Sequence, residues 1–199
     1  MKRLEIALWA SGMAGDAISE ALGRTPDFAV RRDGGLPEEG GALIWYEPEP
    51  VLSMPPTVSR QIAARYQTDM GLVLLGGAVF SALTRELFSI VPATSAQILS
   101  MERVWMVNPR HPLSAGLPSY ADIPGKRLRH FPAEMSKCSQ LLCLSMLDGQ
   151  KMIRTGFCYE RAGRALCLTL GSEEGECYAL GAMSMLLRNA GRWACKAEP

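Results

Sequence analysis

The chain has 199 residues, 48% of them hydrophobic and 21% charged, and its 21 Lys and Arg residues nearly balance 20 Asp and Glu residues. This composition fits a globular chain long enough for a sizeable buried core, and it excludes disordered and fibrous proteins. The formal net charge of +1 removes the long-range attraction that would favour nucleic acid or an anionic membrane as a partner.

Neither a secretory signal nor a membrane span is predicted. The apolar run after the N-terminal Met-Lys-Arg is interrupted at Glu5 and again at Asp16, whereas a signal peptide needs an unbroken run. The longest uncharged stretches, 70–84 and 87–101, are shorter than the roughly 20 residues that span a bilayer. We therefore expect a cytoplasmic protein.

The first half of the chain repeats a strand, a loop and a helix. Short apolar runs predict strands at 4–9, 28–31, 42–46 and 71–75, and helical spacing predicts helices at 16–22, 60–67 and 80–88. Continuous apolar strands are typical of a parallel sheet that is covered on both faces. Right-handed crossovers then give a doubly wound, flavodoxin-like α/β core.

The second half has a different pattern. Strands are predicted at 103–107, 141–147, 151–160 and 164–169, and a closing helix at 178–193. Asp148-Gly149 is a strong hairpin signal between two of these strands. We therefore expect one domain over residues 1–199, with a mostly parallel sheet, helices on both faces and an antiparallel hairpin extension in the C-terminal half.

The six cysteines all lie in the last third of the chain and form no C-x-x-C pair, which argues against zinc-ribbon and thioredoxin sites. Cys158 and Cys167 flank Ala162-Gly163, and a two-residue turn there would place them directly opposite each other, where a disulfide fits. A cytoplasmic location favours free thiols instead. The sequence does not decide between a disulfide and two free thiols at these positions.

Several short motifs occur in the same order as in one known family. They are Leu43-Ile44-Trp45-Tyr46, Met70 to Leu75 with Phe80-Ser81, Arg103 to Pro109, His111-Pro112-Leu113, Gly116-Leu117, Arg154-Thr155-Gly156, Tyr159-Glu160-Arg161 and Asn189 to Ala194. Over roughly residues 41–195 the chain thus resembles the trehalose-utilisation (ThuA-like) family. The resemblance implies a class I glutamine amidotransferase-like fold and a role in disaccharide or keto-sugar metabolism.

The chain departs from the family at its histidines. Glu47, Pro48 and Val51 stand where members carry histidines after the third strand, and the elbow 76–81 has lost both of its own. The segment 125–129 is basic instead of His-Glu-Glu-Met-Tyr, and Gly171-Ser172-Glu173 replaces Gly-His-Glu. Metal binding and acid–base catalysis need such groups. We expect no metal, no cofactor and no glutamine amidotransferase activity.

A ligand site is nevertheless expected at the C-terminal edge of the parallel strands. Its predicted residues are Ser11, Glu47, Gly76, Gly77, Ser81, Arg127 and Glu173. Glu173 is the remaining candidate for a general acid or base, although its acidic neighbours could equally cap the closing helix. The amides after Gly76-Gly77 could hold an anion or a sugar hydroxyl, but a tight turn that needs positive φ is the favoured interpretation.

Three weaker signals have ordinary explanations. Gly12 to Gly15 with Arg31-Arg32 could contact phosphates, but the spacing is not G-x-G-x-x-G and a plain strand-to-helix loop is favoured. His111 is expected to shape its turn. The basic residues Lys126, Arg127, Arg129 and His130 either face an anionic ligand or form a solvated face, and the solvated face is favoured.

Two functions remain open from the sequence. The first is a ThuA-like protein that acts on or binds a sugar-like small molecule with a degenerate catalytic site. The alternative is a non-catalytic ligand-binding or interaction module that kept the fold. The expected partner is a small molecule, with carbohydrate as the candidate class, and neither nucleic acid nor membrane; whether the chain forms a homo-oligomer is left open.

Overall fold

A computed structural model of the chain describes residues 3–92, 97–130, 133–135, 140–160, 162–171 and 175–197. Four helices are seen in this part: α1 (Gly12–Gly23), α2 (Pro56–Thr68), α3 (Ala82–Phe88) and α4 (Gly181–Ala194). The strands are β1 (Leu4–Trp9), β2 (Phe28–Arg31), β3 (Ala42–Glu47), β4 (Gly71–Gly76), β5 (Ile90–Pro92), β6 (Gln97–Met106), β7 (Tyr120–His130), β8 (Ala133–Met135), β9 (Gln140–Leu147), β10 (Lys151–Glu160) and β11 (Arg164–Leu168).

Nine of the described strands form one sheet, in the order β2-β1-β3-β4-β11-β10-β9-β6-β7, and β5 pairs with β8 in a small second sheet. The five strands from β2 to β11 run parallel to one another. The four from β10 to β7 are antiparallel. The predicted α/β sheet is confirmed, but its antiparallel part is a four-stranded half rather than a hairpin extension.

Helices cover both faces of the parallel strands. One apolar core lies between the sheet and α1 and α4, and includes Ile6, Ile44 and Val73. The other lies on the α2 and α3 side and includes Leu43, Leu72 and Leu74. The central strands are buried on both faces, which explains their unbroken apolar sequences.

All four described helices begin at other residues than predicted: α1 begins at Gly12 instead of 16 and α4 at Gly181 instead of 178. The second helix begins at Pro56 rather than near residue 60, because proline is tolerated in the first helical turn, where its missing N–H is not needed. The predicted helix at 80–88 is a 3₁₀ turn, Gly77–Phe80, followed by α3. Ser81 separates the two, and its Oγ accepts a hydrogen bond from Thr84 N at the start of α3.

The expected opposition of Cys158 and Cys167 is wrong. The loop between β10 and β11 has three residues, so Cys158 pairs with Leu166 and Cys167 with Phe157. Neighbouring positions on a strand point to opposite faces, and the two thiols lie in different cores. Cys143, Cys158, Cys167, Cys177 and Cys195 form no disulfide; Cys138 lies outside the described residues.

None of the helices in the described part of the chain combines the length and apolar character that crossing a bilayer requires.

Candidate functional site

The C-terminal ends of β1, β3, β4 and β11 meet at one edge of the sheet. Trp9 pairs with Trp45. Ser11 and Glu47 each stand two residues after this pair, so both lie where neighbouring strands end. Glu47 in turn pairs with Gly76. In open α/β sheets this edge is where ligands bind. The fold therefore brings together three of the predicted site residues.

The start of α1 is open at this edge. Ser11 is exposed at the N-cap, yet its side chain makes no capping hydrogen bond, and the first turn carries no acidic residue. The first amides of a helix have no partner within the helix. The Ser11 hydroxyl and these N–H groups are consequently placed to contact oxygen atoms of a ligand.

Glu47 is half-buried at the end of β3. Its Oε1 accepts a hydrogen bond from Trp45 Nε1 at 2.9 Å, and the Trp45 ring packs edge-on against Trp9, with 5.9 Å between centroids. This anchor fixes the direction of the carboxylate, a requirement for a side chain that orients a ligand.

The Gly76-Gly77 elbow is tightly covered. Gly76 has a φ of 58°, and a Cβ there would lie 2.7 Å from the Glu47 carbonyl oxygen. A Cβ on Gly77 would lie 2.0 Å from the Glu49 carbonyl oxygen, because the loop after β3 crosses directly over it. The favoured interpretation, a tight turn that requires positive φ, is confirmed at Gly76. Ser81 is buried, and its capping bond assigns its hydroxyl to the start of α3.

Glu102 is a polar residue of this edge that sequence reasoning missed. The side chain is fully buried, and its Oε2 accepts a hydrogen bond of 2.5 Å from Gly171 N. A buried carboxylate is costly unless it is hydrogen-bonded, so the bond ties β6 to the segment that follows β11. Glu102 stands directly before the predicted strand 103–107, and a single Glu at such a position usually faces solvent.

Further polar and aromatic groups are buried near the end of β11. Ser145 and Thr155 share a hydrogen bond of 2.8 Å, and Thr169 N donates to the Thr155 carbonyl. Tyr178 packs edge-on against Tyr46 at 5.8 Å. Burial, together with nearby Cys177, raises the pKa of Tyr178 well above 10, so this phenol stays protonated at neutral pH.

Glu173 lies outside the described residues. Gly171 and Gly175 flank its segment, and a Cβ on Gly175 would lie 2.4 Å from the Ala14 Cβ. Gly175 therefore packs against α1, and Gly171 is held by the Glu102 carboxylate.

Arg127 lies on β7, the outermost strand. At the end of β9, Leu147 pairs with Glu102 of β6. The first residues of β6, Gln97 to Leu99, lie past this point and pair with 128–130 of β7, so that β6 and β7 form a two-stranded arm. Because β9 runs in the same direction as β11, this two-stranded arm extends past the sheet at the edge that carries the candidate site. The side chains of Lys126, Arg127, Arg129 and His130 lie outside the described residues.

His111 lies at the opposite edge of the sheet. Its Nδ1 accepts a hydrogen bond from Leu113 N, and its ring packs against Trp193, which confirms the expected role in shaping the turn. Burial lowers the pKa of His111, and nearby Glu160 opposes that shift.

The other arginine candidates have partners within the chain. Arg32 donates to Asp16, and Arg31 contacts Glu5 and the Leu36 carbonyl. This arrangement agrees with a plain strand-to-helix loop after β1. In the part of the chain that the structure describes, no three His, Cys, Asp or Glu residues lie close enough to hold a metal ion.

Comparison with solved structures identifies the architecture. A Bacteroides uniformis protein described as ThuA-like superposes with a TM-score of 0.73 at 13% identity, covering 96% of this chain and 91% of that one. The chain has the ThuA-like fold. A Thermotoga maritima glutamine amidotransferase also superposes on this chain, with a TM-score of 0.58 at 11% identity, covering 99% of this chain and 100% of the other.

A carbohydrate deacetylase, Agd3, has the same fold within a longer chain. Its TM-score is 0.66 at 13% identity, covering 98% of this chain and 32% of the deacetylase. No family model and no curated protein matches this sequence. The similarity to ThuA-like proteins is therefore a similarity of three-dimensional structure, as expected for a chain whose sequence has diverged.

Proposed function

We propose that this protein binds a sugar-like small molecule at the C-terminal edge of its parallel strands and that its catalytic centre is degenerate. The observation that carries the proposal is the position of the exposed Ser11 hydroxyl, at the open start of α1, on the same sheet edge as the anchored Glu47 carboxylate. The strand order turns back between β1 and β3. In a doubly wound sheet that switch point is the ligand crevice.

The chemistry of these groups suits a carbohydrate. Sugar hydroxyls both donate and accept hydrogen bonds, so Glu47 can accept from one hydroxyl while Ser11 and helix amides donate to another. No positive charge is needed for such recognition, which agrees with the chain's net charge of +1. The ThuA-like fold and the fold shared with a carbohydrate deacetylase support the same ligand class.

Two observations favour binding over catalysis. The elbow 76–80 carries no Cys, Ser or His, so a nucleophile is missing where amidotransferase-like folds place one. His111 is committed to its own turn at the other edge. Glu173 stays our candidate acid or base, and Arg127 stays a predicted ligand contact. Gly76, Gly77 and Ser81 shape the proposed site at the end of β4.

Isothermal calorimetry with trehalose and a panel of keto-sugars tests the proposal. We expect one sugar of the panel to bind, and Glu47→Gln or Ser11→Ala to weaken it about five- to tenfold, the effect of losing one hydrogen bond. Glu38→Gln, an exposed change in the loop before β3, is the matched control and should bind as the wild type does.

Hydrolysis or isomerisation of the bound sugar separates binder from enzyme. The proposal expects the sugar to be recovered unchanged. Turnover that Glu173→Gln abolishes would instead make the protein an enzyme with Glu173 as its acid or base. Absence of binding across the panel would contradict the sugar assignment.

A further inference from the structure

Among the described residues, one face of the antiparallel half of the sheet carries no helix. Two cross-strand rows lie on it, and we call them together the open face. One row is Arg154, Leu144, Trp105 and Tyr120, and the other is Met152, Met146, Arg103 and Asp122, each running from β10 through β9 and β6 to β7. Trp105, Leu144, Met146 and Met152 belong to neither apolar core.

The open face is unusually apolar for a solvent-facing surface. Met152 is 51% exposed and Tyr120 47% exposed. Ile98 and Met101 continue the same face along β6, at 51% and 37%. Single exposed apolar side chains are ordinary, but a contiguous patch on a sheet marks a surface that another molecule covers.

The charges on the open face are arranged for self-association. Arg103 and Asp122 form an ion pair within the chain, and the Arg103 guanidinium lies 4.6 Å from the centroid of the Tyr120 ring. Arg154, at the β10 side, is exposed and makes no ion pair with any described residue. On the open face, β10 therefore contributes a basic side chain, β9 contributes apolar side chains, and β7 contributes an aromatic and an acidic side chain.

We infer that the open face binds a second copy of this chain. A two-fold axis parallel to the strands, between β9 and β6, lays β10 of one copy over β7 of the other. Arg154 then lies over Tyr120 of the second copy and within one row of Asp122. Leu144 opposes Trp105 in the same row. An isologous interface needs such self-complementarity, and a cation over an aromatic ring is attractive.

Size and charge agree with a dimer. Four strands about 4.8 Å apart and a β6 of ten residues at about 3.3 Å each give a footprint of at most about 600 Å², at the low end of what each partner buries in a standard interface. With a net charge of +1, two copies do not repel each other strongly. Tyr120, Met152 and Arg154, which carry this inference, are not among the residues of the proposed sugar site.

Analytical ultracentrifugation of the full chain, from about 1 to about 100 μM, tests the dimer over the range of moderate affinities. We expect a species of twice the 21.7 kDa chain mass. Met152→Glu and Arg154→Glu should each weaken the dimer at least about tenfold, since each places a carboxylate on β10, which packs over Tyr120 and Asp122 of the second copy.

Matched controls exclude effects of the added charge. Met13→Glu changes a methionine of α1 that is 66% exposed, and Arg60→Glu changes an exposed arginine of α2. Both should dimerise as the wild type does. All four positions are exposed, so circular dichroism should show unchanged folding. A wild-type monomer at every concentration, or a dimer insensitive to Met152→Glu and Arg154→Glu, would overturn the inference.

Discussion

Glu102 is the residue on which the candidate edge most depends. Glu102→Ala would leave Gly171 N without its acceptor inside the protein, and we expect a loss of about 2–4 kcal/mol in the free energy of unfolding. Glu102→Gln keeps an oxygen acceptor and should cost about half as much. Urea unfolding measures both; a Glu102→Ala protein as stable as the wild type would show that the bond to Gly171 contributes nothing.

His111 makes the stability of the protein depend on pH. Burial holds its pKa in the folded state below the ordinary value of 6.5, while Glu160 partly opposes the shift and Arg164 adds to it. The unfolded chain then binds the proton more tightly. The stability that this histidine contributes is fully present above about pH 6.5 and is lost as the pH falls toward the folded-state pKa.

The His111→Asn variant tests this pH dependence. Asparagine can still accept the Leu113 N–H but does not titrate. Between pH 7.5 and 5.5 the free energy of unfolding should fall more steeply in the wild type than in the variant. The pKa of Asp69 is lowered chiefly by its hydrogen bond to Arg65, so its titration changes the free energy of unfolding at a lower pH than this range. Equal slopes would contradict the argument.

At the scale of elements, the elbow between β4 and α3 depends on two glycines. Gly77→Ala places a Cβ against the Glu49 carbonyl oxygen, a backbone atom that cannot move without displacing the loop after β3. We expect a loss of about 2–4 kcal/mol. Gly181→Ala is the matched control, because its Cβ meets nothing within 4 Å and should be neutral or stabilising in α4.

The sequence predicted some elements better than others for physical reasons. The parallel strands 4–9, 28–31, 42–46 and 71–75 agree with the structure to within one residue. The two central ones, 42–46 and 71–75, are continuously apolar because they are buried on both faces. β7 was not predicted, since Gly125 to His130 is mostly basic and shows no alternation. β6 was predicted too short, because its first half mixes polar and apolar residues and a bulge between Leu99 and Met101 breaks the alternation.

The candidate site was predictable only in part. Ser11 and Glu47 follow apolar strands directly, so their common edge could be inferred from chain position. The burial of Glu102 could not, because it depends on Gly171, 69 residues away. Whether Cys158 and Cys167 lie opposite each other depends on the length of the loop between β10 and β11. One additional residue in that loop shifts the strand register and places the two side chains on opposite faces of the sheet.

At the scale of the whole molecule, the parallel half carries the proposed ligand edge and the antiparallel half the open face. Separate surfaces allow the two proposals to be tested separately. If both hold, a dimer would present two sugar sites whose occupancy leaves the open face unchanged.

The most direct test of the central claim is a map of amide chemical shifts in ¹⁵N-labelled protein during titration with trehalose or with the sugar of highest affinity. We predict that the largest shifts fall on the amides of 11–14 at the start of α1, on Glu47 and on the residues around Gly171. Saturable shifts confined to the opposite edge, around His111 or 38–41, would contradict the proposed site, and so would a spectrum that no sugar changes.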